Sequence, residues 1–255
     1  MQSRKISDYI WLGLQWRFLQ DQQKGGLIHG DGFVLDNIIH LLSRLERFNL
    51  PVTYRAATEI KTLRDELQKT ADNASLTERQ AEILQSALKD LQRTLQAECA
   101  GNIAYIVTDK RLDTQKLLTA PHQLLAPGVY DKLPPIAQFD FKEAGLCIAF
   151  ERPTSAAFHL LRGTEDVLRT TYRSLVRRNR ISPLLWAGMV DAIKKRRTPP
   201  PPELIGVLDH LRKSFRNPTQ HPDKIYDIQE AQDLFSICVD AVNRMAALPG
   251  WEQDA

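Results

Sequence analysis

Apolar residues recur every three or four positions along most of the chain, the period of α-helices buried on one side. Residues 6–20 carry Ile10, Trp11, Leu14 and Phe18 at this spacing. Residues 33–48 carry Val34, Leu35, Ile38, Ile39, Leu42 and Leu45, and Asn49-Leu50-Pro51 ends that run. Over residues 60–95 the steps alternate between three and four, as in a coiled coil. The centre of that repeat is weak (Thr70, Ala74, Thr77), and Ser75-Leu-Thr-Glu78 has the form of a capping box that begins a new helix. An antiparallel helical hairpin over about residues 53–98 is the preferred reading, with one continuous coiled coil as the alternative. Both make this segment a packing or dimerisation device.

Residues 101–150 are less periodic. Ile103-Ala-Tyr-Ile-Val107 suits a short strand or a buried helix end, and Pro121, Pro127, Gly128, Pro134 and Pro135 punctuate an irregular connector. A boundary is expected near Glu151, because Pro153 suits the first turn of a new helix. Four helical segments follow: residues 153–178, 183–195, 203–215, and a last one opened by the capping box Asp227-Ile-Gln-Glu230. The prolines at 199–202 read as an extended, polyproline-like connector or as a plain surface loop, the loop being the commoner case. The expected fold is all-α, with an N-terminal helical region (1–150), a four-to-five-helix bundle (151–247) and a tail (248–255).

Composition is that of an ordinary globular protein, 43% hydrophobic and 25% charged. The longest apolar runs are too short to cross a bilayer, and the first residues lack a signal peptide's uniform apolar core. Cytoplasmic residence without membrane association is therefore the expectation. Cys99, Cys147 and Cys238 are widely spaced and odd in number, which suggests neither a disulfide framework nor a zinc knuckle. No Walker loop, dinucleotide fingerprint or nucleophile elbow is present. The glycines at 25, 26, 30 and 32 read as a loop before a helix capped near Asp31. No cofactor and no metal are expected.

The net charge of +3 hides a local bias. Between Arg162 and Arg216, thirteen arginines and lysines stand against five acids, so the rest of the chain is net acidic. Such a concentration favours a polyanion, RNA above all, or else is a set of solvated helix faces. Arg169, Arg173, Arg177, Arg212 and Lys213 are the candidates for RNA contact.

The candidate chemistry lies at Phe215-Arg-Asn-Pro-Thr-Gln-His-Pro222. Asn217 suits an N-cap, Pro218 the first helical position, and Gln220 completes a capping box, which predicts one tight turn. The residue before such a cap and the fourth after it are neighbours. Here they are Arg216 and His221, two cation-capable groups at a helix N-terminus, an arrangement suited to a phosphate. The bland alternative pairs Arg216 with Asp223 or Asp227. On the 153–178 helix, Glu165 falls in the buried stripe Ala157, Leu161, Leu168, Tyr172, Leu175. An inward carboxylate needs a partner, for which Arg216 or His221 is suited.

Arg216-Asn217 followed by three residues and His221, in the turn before the last helix of a basic bundle, resembles the Arg-x4–6-His signature of the HEPN superfamily. Asn217 matches the polar residue that follows the arginine there, and Glu165 the polar residue facing the motif from an earlier helix. The similarity covers about residues 151–247. Pro218 and Pro222 depart from the simplest pattern. The resemblance implies a homodimer that presents two motifs to RNA and cuts it without metal. His221 would then act as general base or acid, Arg216 would stabilise phosphorane charge, Asn217 would hold the turn and Glu165 would orient Arg216 or His221. A toxin or antiphage effector with a protein antitoxin or regulator is one setting for such an endoribonuclease. A non-catalytic dimer that binds RNA, nucleotides or a protein is the alternative within the same superfamily.

Overall fold

The computed structural model describes residues 4–177, 181–221, 224–249 and 251, so Arg178 and Arg180 of the basic run, and Pro222 and Asp223 beside the motif, lie outside it. Secondary structure among the described residues is helical, with a single isolated bridge between Leu27 and Ser75. The fold is all-α. The chain divides after Tyr105 into two compact units.

The first unit comprises α1 (Ile6–Gln20), α2 (Val34–Arg47), α3 (Pro51–Ala56), α4 (Thr58–Leu67) and α5 (Glu78–Cys99). The repeat over residues 60–95 is split, and α4 packs on α5 as a hairpin. The capping box forms two residues later than expected, between Thr77 and Gln80. Thr77 has extended backbone, so its hydroxyl can accept from the free N–H of Gln80. Leu76 and Gly26 bond through their backbones, tying the loop after α1 to the hairpin turn. The helix after the glycine loop is not capped at Asp31: it begins at Val34, and Asp36 reaches back to the Gly32 N–H instead. Helix α1 forms where expected but rotated: Leu12, Trp16 and Leu19 are buried, whereas Ile10, Trp11 and Leu14 are more than half exposed.

The second unit begins earlier than the boundary read near Glu151. Residues 103–107 are neither strand nor buried helix end; Ile103, Tyr105 and Ile106 are at least three-quarters exposed. The connector holds α6 (Thr114–Thr119), started by Asp113 accepting from the Lys116 N–H, and α7 (Pro135–Ala149). Helix α7 belongs to the second core because Ala137, Phe141, Ala144 and Ile148 are all fully buried within it. A three-residue turn, with Glu151 at φ 56°, folds α8 (Pro153–Leu175) back along α7. Then come α9 (Trp186–Lys194) and α10 (Pro202–His210), joined by the extended prolines and by a Trp186 indole N–H to the Leu208 carbonyl at 3.1 Å. Helix α10 runs on through a π-helical turn, Leu211–Arg216, into α11 (Asn217–Thr219). The Asp227–Glu230 capping box starts α12 (Ile228–Ala246) as expected, and α12 packs on α8 with Phe235, Cys238 and Val242 inside. The expected tail is partly tied down: Trp251 is buried, and its indole N–H donates to Thr171 Oγ1 at 2.9 Å.

Candidate functional site

Helix α8 carries two faces. Leu160, Leu161, Val167, Leu168 and Tyr172 go into the core. Beside them His159, Arg162, Asp166 and Arg169 follow the same three-and-four spacing, so they too share one side, with Glu165 between. Together with Ile136 and Phe139 of α7 and with Arg216, Thr219 and Gln220 beyond α10, these side chains line a cleft of about 720 Å³. Its walls expose large apolar surface: Phe139 and Phe158 are each about half exposed.

Under the cleft lies Asp140, whose side chain is wholly buried. Its carboxylate accepts from Arg162 twice, at 2.7 Å from Nε and 2.6 Å from Nη2, and contacts His159 Nδ1 at 2.8 Å. Asp140 pushes the Arg162 guanidinium still higher than the ordinary arginine value through its hydrogen bonds and charge. Taken as the acceptor of all three contacts, the carboxylate places the hydrogen of the neutral imidazole on His159 Nδ1. Nε2 is then the lone-pair nitrogen of the neutral ring.

Glu165 lies as the inward spacing requires, with a side chain only 16% exposed. Arg169 Nη2 bonds one of its oxygens at 2.9 Å, and Arg216 Nε stands 3.6 Å from the other. Each guanidinium has five N–H groups in a fixed fork, more than these contacts use, and the Nε of Arg169 is buried without a partner. Asp166 completes the acidic set. Burial pushes its carboxyl up, against Arg169 and Arg173 and a hydrogen bond from Ala137, which pull it down.

Arg216 owes its place to the π-helical turn. Pro218 has no N–H for a regular helical ladder, and the chain widens ahead of it instead of breaking. Asn217 is therefore not an N-cap: it has helical angles (φ −65°, ψ −50°), and its N–H donates to the Arg212 carbonyl. Thr219 fixes the end of the turn, bonding the Phe215 carbonyl and the Tyr226 hydroxyl, each at 2.7 Å. Without the cap, the side-by-side arrangement expected of Arg216 and His221 loses its basis. Arg216 lines the cleft; His221 and Asn217 are exposed and do not.

Of the five candidate RNA contacts, Arg169 alone lines the cleft. Arg173, Arg177 and Lys213 are exposed elsewhere on the unit, and Arg212 stands 3.8 Å from Asp209. Asp140, His159 and Arg162 were not singled out as site residues. A signal was present: Asp140 is flanked by Phe139 and Phe141, and His159 and Arg162 stand one helical turn apart.

Among the described residues no three His, Cys, Asp or Glu side chains cluster as metal ligands, and no helix is long and apolar enough to cross a membrane. No family model, curated protein or solved structure matches the chain.

Proposed function

We propose that the second unit is an RNA-binding domain of HEPN-like organisation, which seats one nucleotide of a single strand in the α7–α8 cleft. One observation carries this reading: Arg162 and Arg169 of α8 and Arg216 from beyond α10 converge on a cleft walled by Phe139 and Phe158. A volume of about 720 Å³ is of the order that suits a small ligand such as a nucleotide. Exposed phenylalanines give a base a face to stack on, worth roughly 1–3 kcal/mol per base. The guanidiniums bind phosphate with the N–H groups that Asp140 and Glu165 leave unused. Because these carboxylates offset much of the cationic charge, recognition rests on contact geometry more than on net charge. The Arg216–His221 spacing supplies the HEPN likeness, and with it a homodimer working on RNA in the cytoplasm.

Fluorescence anisotropy with a labelled single-stranded RNA, a duplex of the same sequence and a free nucleotide tests this. Single strands are expected to bind best, and Phe158→Ala and Arg216→Ala each to weaken binding. Equal binding by wild type and both variants would reject the cleft as the site.

A second reading, metal-independent RNA cleavage by Arg216 and His221 in a homodimer, is favoured by one feature. Arg216 occupies the cleft beside Glu165, while His221 follows on the exposed turn, where it is accessible to a strand held by a second protomer. Incubating labelled RNA in chelator with wild type, Arg216→Ala and His221→Ala decides it, since cleavage that survives both substitutions ends this reading. A toxin or antiphage role restrained by a protein antitoxin follows only from cleavage, and growth arrest on expression is its measure.

A further inference from the structure

The cleft holds a group better placed for acid–base chemistry than the Arg216–His221 motif. We infer that His159, oriented by the buried Asp140, is the general base of an RNA-cleaving reaction in the α7–α8 cleft. This rests on the RNA-binding reading of the same cleft.

Three observations support it. First, Asp140 does not need His159 for its own burial, because Arg162 already neutralises it through two hydrogen bonds. The imidazole is an addition to a satisfied ion pair. Second, the contact to Asp140 fixes the tautomer and leaves Nε2 as the only nitrogen able to take a proton, in a ring that lines the cleft. A buried carboxylate behind an imidazole both orients it and stabilises its protonated form. Third, the ring is steadied from a second direction by Phe139, whose centroid is 6.1 Å away at an interplanar angle of 66°. A held ring needs little rearrangement when it reacts.

The step balances without a co-reactant other than water. His159 Nε2 takes the proton of a ribose 2′-hydroxyl, and the 2′-oxygen forms a bond to phosphorus. The bond from phosphorus to the 5′-oxygen of the next nucleotide breaks, and that oxygen takes a proton from water. The hydroxide left behind takes the proton from the His159 imidazolium. The products are a 2′,3′-cyclic phosphate and a 5′-hydroxyl. Arg162 and Arg216 on the cleft wall are suited to the charge that grows on the phosphoryl oxygens. Asp140 acts only through His159 and is a positioning residue.

The test uses the full chain with a labelled single-stranded RNA in chelator, and reads affinity and cleavage separately for wild type, His159→Gln and Asp140→Asn. His159→Gln is expected to bind within about threefold of wild type and to cut about 10²–10⁴-fold more slowly, the usual worth of a general base. The wild-type products should carry cyclic-phosphate ends. The rate should rise with pH through a single limb that His159→Gln abolishes and Asp140→Asn moves to lower pH. Among the described residues, the charged groups that share the cleft with that ring are Arg162, Glu165, Asp166 and Arg169 of α8 and Arg216, and Asp140 of α7 contacts the ring directly. His159→Gln alters a partly exposed side chain, so the test stands even if Asp140→Asn does not fold. RNA bound but uncut by wild type between pH 5 and 9 overturns the inference and leaves the binding reading intact. Cleavage that persists in His159→Gln, or is lost only in His221→Ala, also overturns it. Absence of RNA binding by wild type removes both.

Discussion

Gly163 of α8 lies against Asp140 of α7 so closely that a Cβ built on the glycine would stand 3.0 Å from the Cβ of the aspartate. This approach brings the two helices near enough for His159 and Arg162 to reach one carboxylate. His159 and Arg162, four and one positions before Gly163 on α8, lie on the side of the helix that faces Asp140. The polar cluster under the cleft thus depends on a missing methyl group.

Gly163→Ala should therefore destabilise the protein. Alanine gains about 1 kcal/mol of helix propensity over glycine, but overpacking of a close helix contact costs about 1–3 kcal/mol. The neighbour here is a Cβ on the α7 backbone, whose carboxylate is tied down by Arg162 and His159, so it cannot rotate away. A net loss of about 1 kcal/mol is expected, read as a lower urea midpoint with an unchanged slope. An unchanged or higher midpoint would show that the contact relaxes freely.

Arg216→Ala should lower RNA affinity and flatten its salt dependence, by about 0.7 in the slope of log affinity against log salt if one single-strand phosphate contact is lost. Arg216→Lys should recover little, because an ammonium cannot hold Glu165 with one edge and phosphate with another. A salt slope identical in all three proteins would separate Arg216 from phosphate binding.

Cys238 should be silent towards thiol reagents in the folded protein. Burial pushes its thiol up to about 12, so almost no thiolate exists at pH 8. Cys99 is exposed and Cys147 partly so, and labelling should follow that order, with Cys238 reacting only in denaturant. The linkage has a definite sign. The folded thiol keeps its proton at pH values where the unfolded one loses it, so the unfolded state binds fewer protons and stability falls as pH rises. The loss begins near the ordinary thiol value of roughly 8.5 and continues towards about 12. Urea midpoints for wild type and Cys238→Ala against pH would expose it as a difference that shrinks above pH 9.

Asp227→Ala should cost about 1 kcal/mol, because the Asp227 carboxylate accepts from the Gln229 and Glu230 N–H groups, each at 2.8 Å. Serine at 227 should restore most of it. Loss of the same size in Asp227→Ser would mean that the charge, and not the cap, is what counts.

How much was legible follows from how far each interaction reaches. Most helix positions, though not those of α6 and α7, and the Asp227 box were readable because spacing and capping are settled within one or two turns of chain. So was the inward Glu165, which needs only the phase of its own helix, and its pairing with Arg216 is present at 3.6 Å. The rotation of α1 was not readable, since Leu12 and Trp16 compete with Ile10 and Trp11 for the interior and the neighbouring helices decide between them.

The sequence by itself determined that this chain is helical, where most of its longer helices run, α7 excepted, and that α12 begins at the Asp227 box, all consequences of local backbone chemistry. Tertiary structure decided the site. It assigned α7 to the second unit, set Asp140 beneath His159 and Arg162, drew Arg216 into the cleft through a widened helical turn and left His221 on the exposed surface. Those placements depend on how closely two helices can approach and how a proline is accommodated, and neither distance is encoded in the periodicity of any one segment.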